Sequence, residues 1–147
     1  MKQETWSQLE AAFDEHRDVL VAGPVPSTLV EETIARLGGP SIADYVEFVT
    51  RYGGAMVGAN PVHGIQPSNA MGSQSTVEAE TLRFRKDGWP GTSDGLVVSV
   101  DARGNPVVLG ADGQLTSFDH DTGETHVVAA SFERFLLLLL GEGDASA

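Results

Sequence analysis

Apolar residues recur at spacings of three and four through the first third of the chain, and gather into short β-branched runs about ten residues apart after residue 95. The first pattern is that of a helix with one buried face, the second that of short strands separated by turns. Over residues 3–20 the stripe is Trp6, Leu9, Phe13, His16 and Leu20, which predicts one amphipathic helix before Gly23, Pro24 and Pro26 break the pattern. Residues 27–37 repeat the signal with Val30, Ile34 and Leu37; Ser27 or Thr28 is the expected cap, Thr28 and Glu31 have capping-box spacing, and Gly38 stands where a helix stops. A third helix is expected from Ser41, after Pro40, with Ile42, Tyr45, Phe48, Val49 and Tyr52 facing inward and Gly53 ending it.

Residues 54–75 are rich in glycine, proline and asparagine and predict one or two short strands joined by loops. Residues 75–86 form a weaker helical pattern with Ser75 as its expected cap, and DGWPGTSDG then reads as a loop. Four short stretches rich in β-branched residues follow, LVVSV, PVVLG, LTSFD and HVVAA, separated by the turn signals RGN, ADG and DTG. A repeat of about ten residues leaves no room for a crossover, so these strands must be antiparallel neighbours. The last pattern, SFERFLLLLL, predicts a helix capped by Ser131 that buries Phe132, Phe135, Leu136, Leu139 and Leu140. Helices, a β-meander over residues 95–130 and a closing helix make an α+β fold, and a length of 147 residues suits a single domain over 1–147 with its core at about 5–140.

Composition narrows the chemistry. The absence of cysteine removes thiolate nucleophiles, disulfides and zinc–thiolate centres. A net charge of −12 would repel phosphate backbones and anionic lipids, so neither nucleic acid nor membrane is expected as a partner. The same field would steer a basic protein toward the chain. The N-terminal stretch lacks a signal-peptide apolar core and the leucine run at 136–140 is far too short to span a bilayer, so a soluble, cytoplasmic chain is expected.

No motif points to a catalytic centre, a metal or a cofactor, and none is expected. Asp119-His120-Asp121-Thr122-Gly123-Glu124 begins like a calcium loop, but glycine replaces the third ligand and the glutamate at position twelve is missing. The aspartates at 101, 112 and 119 read instead as turn residues that bond their own backbone. Gly91-Thr92-Ser93-Asp94-Gly95 matches the spacing of a nucleophile elbow, yet a Pro-Gly loop precedes it and a strand follows, the reverse of what that elbow needs. The four histidines form no helical ligand pair. The basic patch RFRK at 83–86 reads as a solvated helix end or a local salt-bridging site.

The order of four segments is more informative than any one of them. PSTLVEETIARLGG, PSIADYVEFVTRYGG, LVVSVDARGNPVVLGADGQLTSFDHDTGE and AASFERFLLLL together resemble the SUKH superfamily, the SMI/KNR-like proteins, across roughly residues 5–140. The matching positions are a helix glutamate (Glu31 or Glu32), inward Tyr45 and Phe48, the pair Gly53–Gly54, the hairpin Asp101, Gly104 and Asn105, and the turn Asp112, Gly113 and Leu115. The resemblance implies a non-enzymatic bacterial immunity protein of the toxin–antitoxin type, which binds and neutralises a cognate polymorphic toxin, here a basic nuclease or deaminase domain. A regulatory or adaptor domain that binds a peptide or small ligand is the other role it allows. Charge and exposure, not family motifs, nominate the partner-binding residues: Asp119, Asp121 and Glu124 at a hairpin tip, Glu78 and Glu80 on the weak helix, and Trp89 in its Gly-Pro loop.

Overall fold

Helix α1 (Gln3–Phe13) buries Trp6, Leu9 and Phe13, as its stripe predicts. The computed structural model describes residues 1–141. One continuous helix to residue 20 does not form. The polar run Asp14–His16 tightens into a 3-10 turn before a short α2 (Arg17–Leu20), and His16 lies exposed, off the stripe. With no apolar position to hold that turn on the core, the chain bends so that Val21 can bridge Ala55.

Helix α3 (Ser27–Leu37) buries Val30, Thr33, Ile34 and Leu37. Its cap is Pro26, without a side-chain bond, so neither Ser27 nor Thr28 caps it and the capping box is not made. Glu31 instead accepts the Ser41 hydroxyl at 2.9 Å, which ties α3 to the start of α4 (Ala43–Tyr52). That helix begins two residues after Ser41, with Ile42 as its cap. Its inner face is the expected one: Tyr45, Phe48, Val49 and Tyr52 are all buried.

Gly53 ends α4 at φ +74°, where a side chain would be strained and its Cβ would collide with the carbonyl oxygen of Gly23. The Gly53 carbonyl, which a Cβ at Gly64 would meet, accepts the N–H groups of Ile65 (2.8 Å) and Gln66 (3.0 Å). Between them runs a small antiparallel hairpin of β1 (Ala55–Val57) and β2 (Asn60–Val62). Helix α5 (Val77–Lys86) follows, capped by the Thr76 hydroxyl, one residue beyond the serine expected, which accepts the Ala79 N–H at 3.1 Å.

The meander is a four-stranded antiparallel sheet in chain order: β3 (Leu96–Val100), β4 (Pro106–Leu109), β5 (Leu115–Asp119) and β6 (Glu124–Ala129). Helix α6 (Phe132–Leu139) closes the chain, with Ser131 accepting the Arg134 N–H at 3.1 Å as predicted. Phe132, Phe135 and Leu136 are buried, whereas Leu139 and Leu140 are only partly so. The architecture is α+β.

The two faces of the sheet differ. Leu96, Val98, Val107, Leu109 and Leu115 join residues of α1, α3, α4 and α6 in the main core. Phe132 sits edge-on to Tyr45 (5.3 Å) and to Phe48 (5.5 Å), locking α6 onto α4. On the other face Val97 and Val108 pack with Phe84 of α5, and Trp89 covers this smaller cluster. Helix α5 packs chiefly along β3 and reaches β4 where Phe84 meets Val108; among the described residues no helix packs extensively over β5 or β6 on this outer face. No helix among the described residues is long and apolar enough to cross a membrane.

Candidate partner-binding face

The outer face is organised by the loop 87–95, which follows α5 and crosses the sheet. One guanidinium pins it. Arg85 donates from Nε to the Thr92 carbonyl (2.7 Å), from Nη1 to the Leu37 carbonyl (2.7 Å) and from Nη2 to the Gly95 carbonyl (3.1 Å). The Thr92 hydroxyl in turn donates to the Trp89 carbonyl at 2.8 Å. The helix end expected to be solvated is therefore in part a clamp. Arg85 joins the C-terminus of α3 to the loop, and Arg83 bonds Glu80 at 2.5 Å, while Lys86 is exposed.

Two clefts flank this loop. A cleft of about 390 Å³ lies between the end of α3, Gly91–Gly95 and the β4–β5 turn, lined by Gly38, Gly39, Pro40, Asp94, Val108 and Thr116 among others. On the other side lies a shallow, open depression of about 210 Å³ lined by Asp87, Gly88, Trp89, Pro90, Phe118 and His120. Trp89 is half-buried at the centre and stands edge-on to Phe84 (5.2 Å), Phe118 (6.0 Å) and His120 (5.7 Å). An indole braced on three sides keeps its orientation with little entropy left to lose, the property expected of a binding anchor.

The acidic tip is built by turn chemistry. Asp101 Oδ1 accepts the N–H groups of Arg103 and Asn105, each at 2.9 Å; Asp112 accepts that of Gln114 at 3.0 Å, and Asp119 that of Asp121 at 2.8 Å. These are the side-chain-to-backbone bonds the turn reading predicts. Asn105, buried between two turns, accepts from the His120 ring Nδ1 and its backbone N–H, and thereby joins the β3–β4 turn to the β5–β6 turn. Arg103 lies 3.9 Å from Asp119 and 3.8 Å from Asp121, a weak solvent-exposed pairing.

Four of the six nominated residues thus share one region: Trp89 beside His120, with Asp119 and Asp121 on either side of that histidine and Glu124 opposite Asp119 in the ladder. The other two lie toward the far end of α5, about a helix length (~12 Å) away. Glu78 is engaged with Arg36 of α3 at 3.0 Å, and Glu80 is only 8% exposed and bonded to Arg83. Sequence reading meets Arg85 only within the RFRK patch and Asn105 only as a hairpin position, so it foresees neither the clamp nor the link between the two turns, and Phe118 goes unnamed. Phe118 stands three residues from Leu115, so on a period-two strand the two must face opposite sides.

The buried groups nearby are structural. His63, almost wholly buried, is pushed below the ordinary histidine pKa by desolvation; its ring Nδ1 lies 3.0 Å from the Val97 carbonyl. Tyr45 is pushed up by burial, and its hydroxyl donates to the His63 carbonyl at 2.7 Å. Both hold α4 and the 60–63 segment against β3.

Comparison with known proteins adds one match. The model of the SMI1 / KNR4 family (SUKH-1) covers residues 24–138, from the linker before α3 into α6. No curated protein matches the chain.

Proposed function

Because the chain belongs to the SMI1 / KNR4 family (SUKH-1), we propose that it is a non-enzymatic immunity protein that binds and neutralises a cognate toxin domain in the cytoplasm. The observation that carries the reading is the outer face itself. A sheet surface that α5 covers chiefly along β3 is crossed by one pinned loop that presents a braced tryptophan between two clefts. This is the anatomy of an interface, an aromatic anchor with a polar rim. The rim is acidic, through Asp119, Asp121 and Glu124, and the whole chain carries −12, so the partner that fits is basic, as a nuclease or deaminase domain would be.

Co-expression with the toxin domain encoded beside this chain tests the reading. Growth rescue and co-purification are expected, and Trp89→Ala should weaken both while leaving the fold intact. A chain that neither rescues growth nor co-purifies would refute immunity. The second reading, an adaptor for a peptide or small ligand, is favoured by the glycine-lined cleft, where backbone is open to a ligand. It predicts binding that survives Trp89→Ala and is lost when Gly91 is given a bulky side chain.

A further inference from the structure

The two edges of the four-stranded sheet are treated differently. β3 is closed: Thr81 Oγ1 accepts the Val97 N–H at 2.9 Å, and the His63 N–H donates to the Val98 carbonyl at 2.7 Å. β6 is open. Among the described residues its backbone makes no hydrogen bond outside the pairing with β5, apart from a local one from the Glu124 N–H to Thr122 Oγ1 at 3.3 Å.

The register identifies the groups that face the opening. The Gly110 N–H donates to the Gln114 carbonyl at 3.0 Å, so that pair is a bonded one, and bonded and non-bonded pairs alternate along an antiparallel ladder. With Val108 opposite Thr116 and Val107 opposite Ser117, alternation directs the backbone groups of Thr116 to β4 and those of Ser117 to β6. His126, opposite Ser117, therefore turns its N–H and C=O inward. Thr125 and Val127 turn theirs to the open side.

Such an edge is ordinarily blunted by lysine, proline or a bulge. Residues 124–127 contain neither lysine nor proline and are exposed, Val127 at 52%. The one irregularity skips Val128, next to that stretch, and leaves the pairing of 124–127 with β5 in regular register. Asp119, Asp121 and Glu124 lie at the start of the strand, with Arg103 near the first two. A second copy would bring a second −12 charge to the same edge, so self-pairing is opposed.

We propose that β6 is a strand-addition edge whose occupant is an extended, basic segment of the partner protein, hydrogen-bonded to the backbone of Thr125 and Val127. The proposal rests on the partner-binding reading above and names where and how the partner is held.

Amide hydrogen exchange on the full chain, with and without the peptide Lys-Val-Lys-Val-Lys-Val, tests it. In the chain alone the Thr125 and Val127 amides should exchange freely while the His126 amide is protected. Saturating peptide should slow both at least about tenfold, and Val127→Pro should weaken peptide binding by about tenfold, the worth of one backbone hydrogen bond. Val127→Lys, which keeps the ladder and adds a like charge, should weaken binding as well and serves if the proline variant misfolds. Absence of peptide binding, or binding that leaves the Thr125 and Val127 amides unchanged, overturns the proposal. Protection without peptide also overturns it, whether it grows with protein concentration (a second copy) or vanishes when residues 142–147 are deleted (the chain's own tail). Peptide capture at this edge without growth rescue would refute immunity alone. Rescue by Val127→Pro equal to that of the parent chain, with no peptide protection, would refute the edge alone.

Discussion

Arg85 joins three carbonyls that lie far apart in the sequence, and its removal should unsettle the whole outer face. Leu37, Thr92 and Gly95, whose carbonyls it binds, are all buried residues, so water cannot readily replace the guanidinium. A hydrogen bond from a charged donor contributes ~1.5–3 kcal/mol net, and orphaning a buried acceptor costs ~1–3 kcal/mol. The three bonds share one group and do not add in full, and solvent reaches part of that side chain, so Arg85→Met should cost ~3–5 kcal/mol. With an urea m-value of ~2 kcal/mol/M, the unfolding midpoint should fall by about 2 M. Arg85→Lys can reach one carbonyl at a time and should recover about one bond, because an ammonium lacks the planar fork. The assay is urea unfolding followed by circular dichroism, repeated by tryptophan fluorescence in a Trp6→Phe background so that only Trp89 reports. Fluorescence should change in Arg85→Met even below the unfolding transition, since the loop carrying the indole is released. A midpoint within about 0.3 M of the parent would mean that water satisfies these carbonyls and that the clamp has no energetic role.

Further outcomes follow from the same geometry. His63 is held below its ordinary pKa of 6.5 by burial, so the unfolded chain takes up its proton first as pH falls. Stability should therefore be full above about pH 6.5 and decline as pH drops toward the folded value; urea midpoints at several pH values should show this, with a shallower decline in His63→Asn. Gly53→Ala should destabilise by ~2–4 kcal/mol, from the left-handed backbone together with the collision at the Gly23 carbonyl, measurable as a lowered thermal midpoint. Glu133 accepts the Lys2 N–H at 2.7 Å and the Thr5 hydroxyl at 2.8 Å; burial raises its pKa, but these bonds outweigh that and hold it below the usual 4.5. Its contribution is present above about pH 4.5 and lost as pH falls through the lowered value, and Glu133→Gln should cost ~1 kcal/mol at neutral pH in urea unfolding while removing that part of the acid dependence.

Periodicity alone carries much of this molecule. The aromatic face of α4, the phenylalanines of α6, the antiparallel meander and the turn role of Asp101, Asp112 and Asp119 all follow from residues within a few positions of one another. Local pattern sets which way a side chain leaves its own backbone, and for these elements that direction is the whole requirement. It misleads where the local signal is ambiguous. His16 fits a stripe that the chain abandons, Ser27 and Ser75 look like caps where Pro26 and Thr76 hold those places, and the helix expected from Ser41 begins only after Ile42.

What tertiary structure alone decides is which distant segments share a surface. Nothing near Arg85 in the chain says that its guanidinium will meet the end of α3, and nothing near Trp89 says that Phe118 and His120 will stand beside it. Nor does the pattern of β6 reveal that it is the uncovered edge. HVVAA looks like LVVSV, yet Thr81 and His63 close the edge at β3, while no described residue closes the edge at β6. Hydrophobic period encodes direction along an element, while the placing of hydrogen-bonding groups across elements depends on how those elements cross. The core of this protein is written in the first, and its outer face in the second.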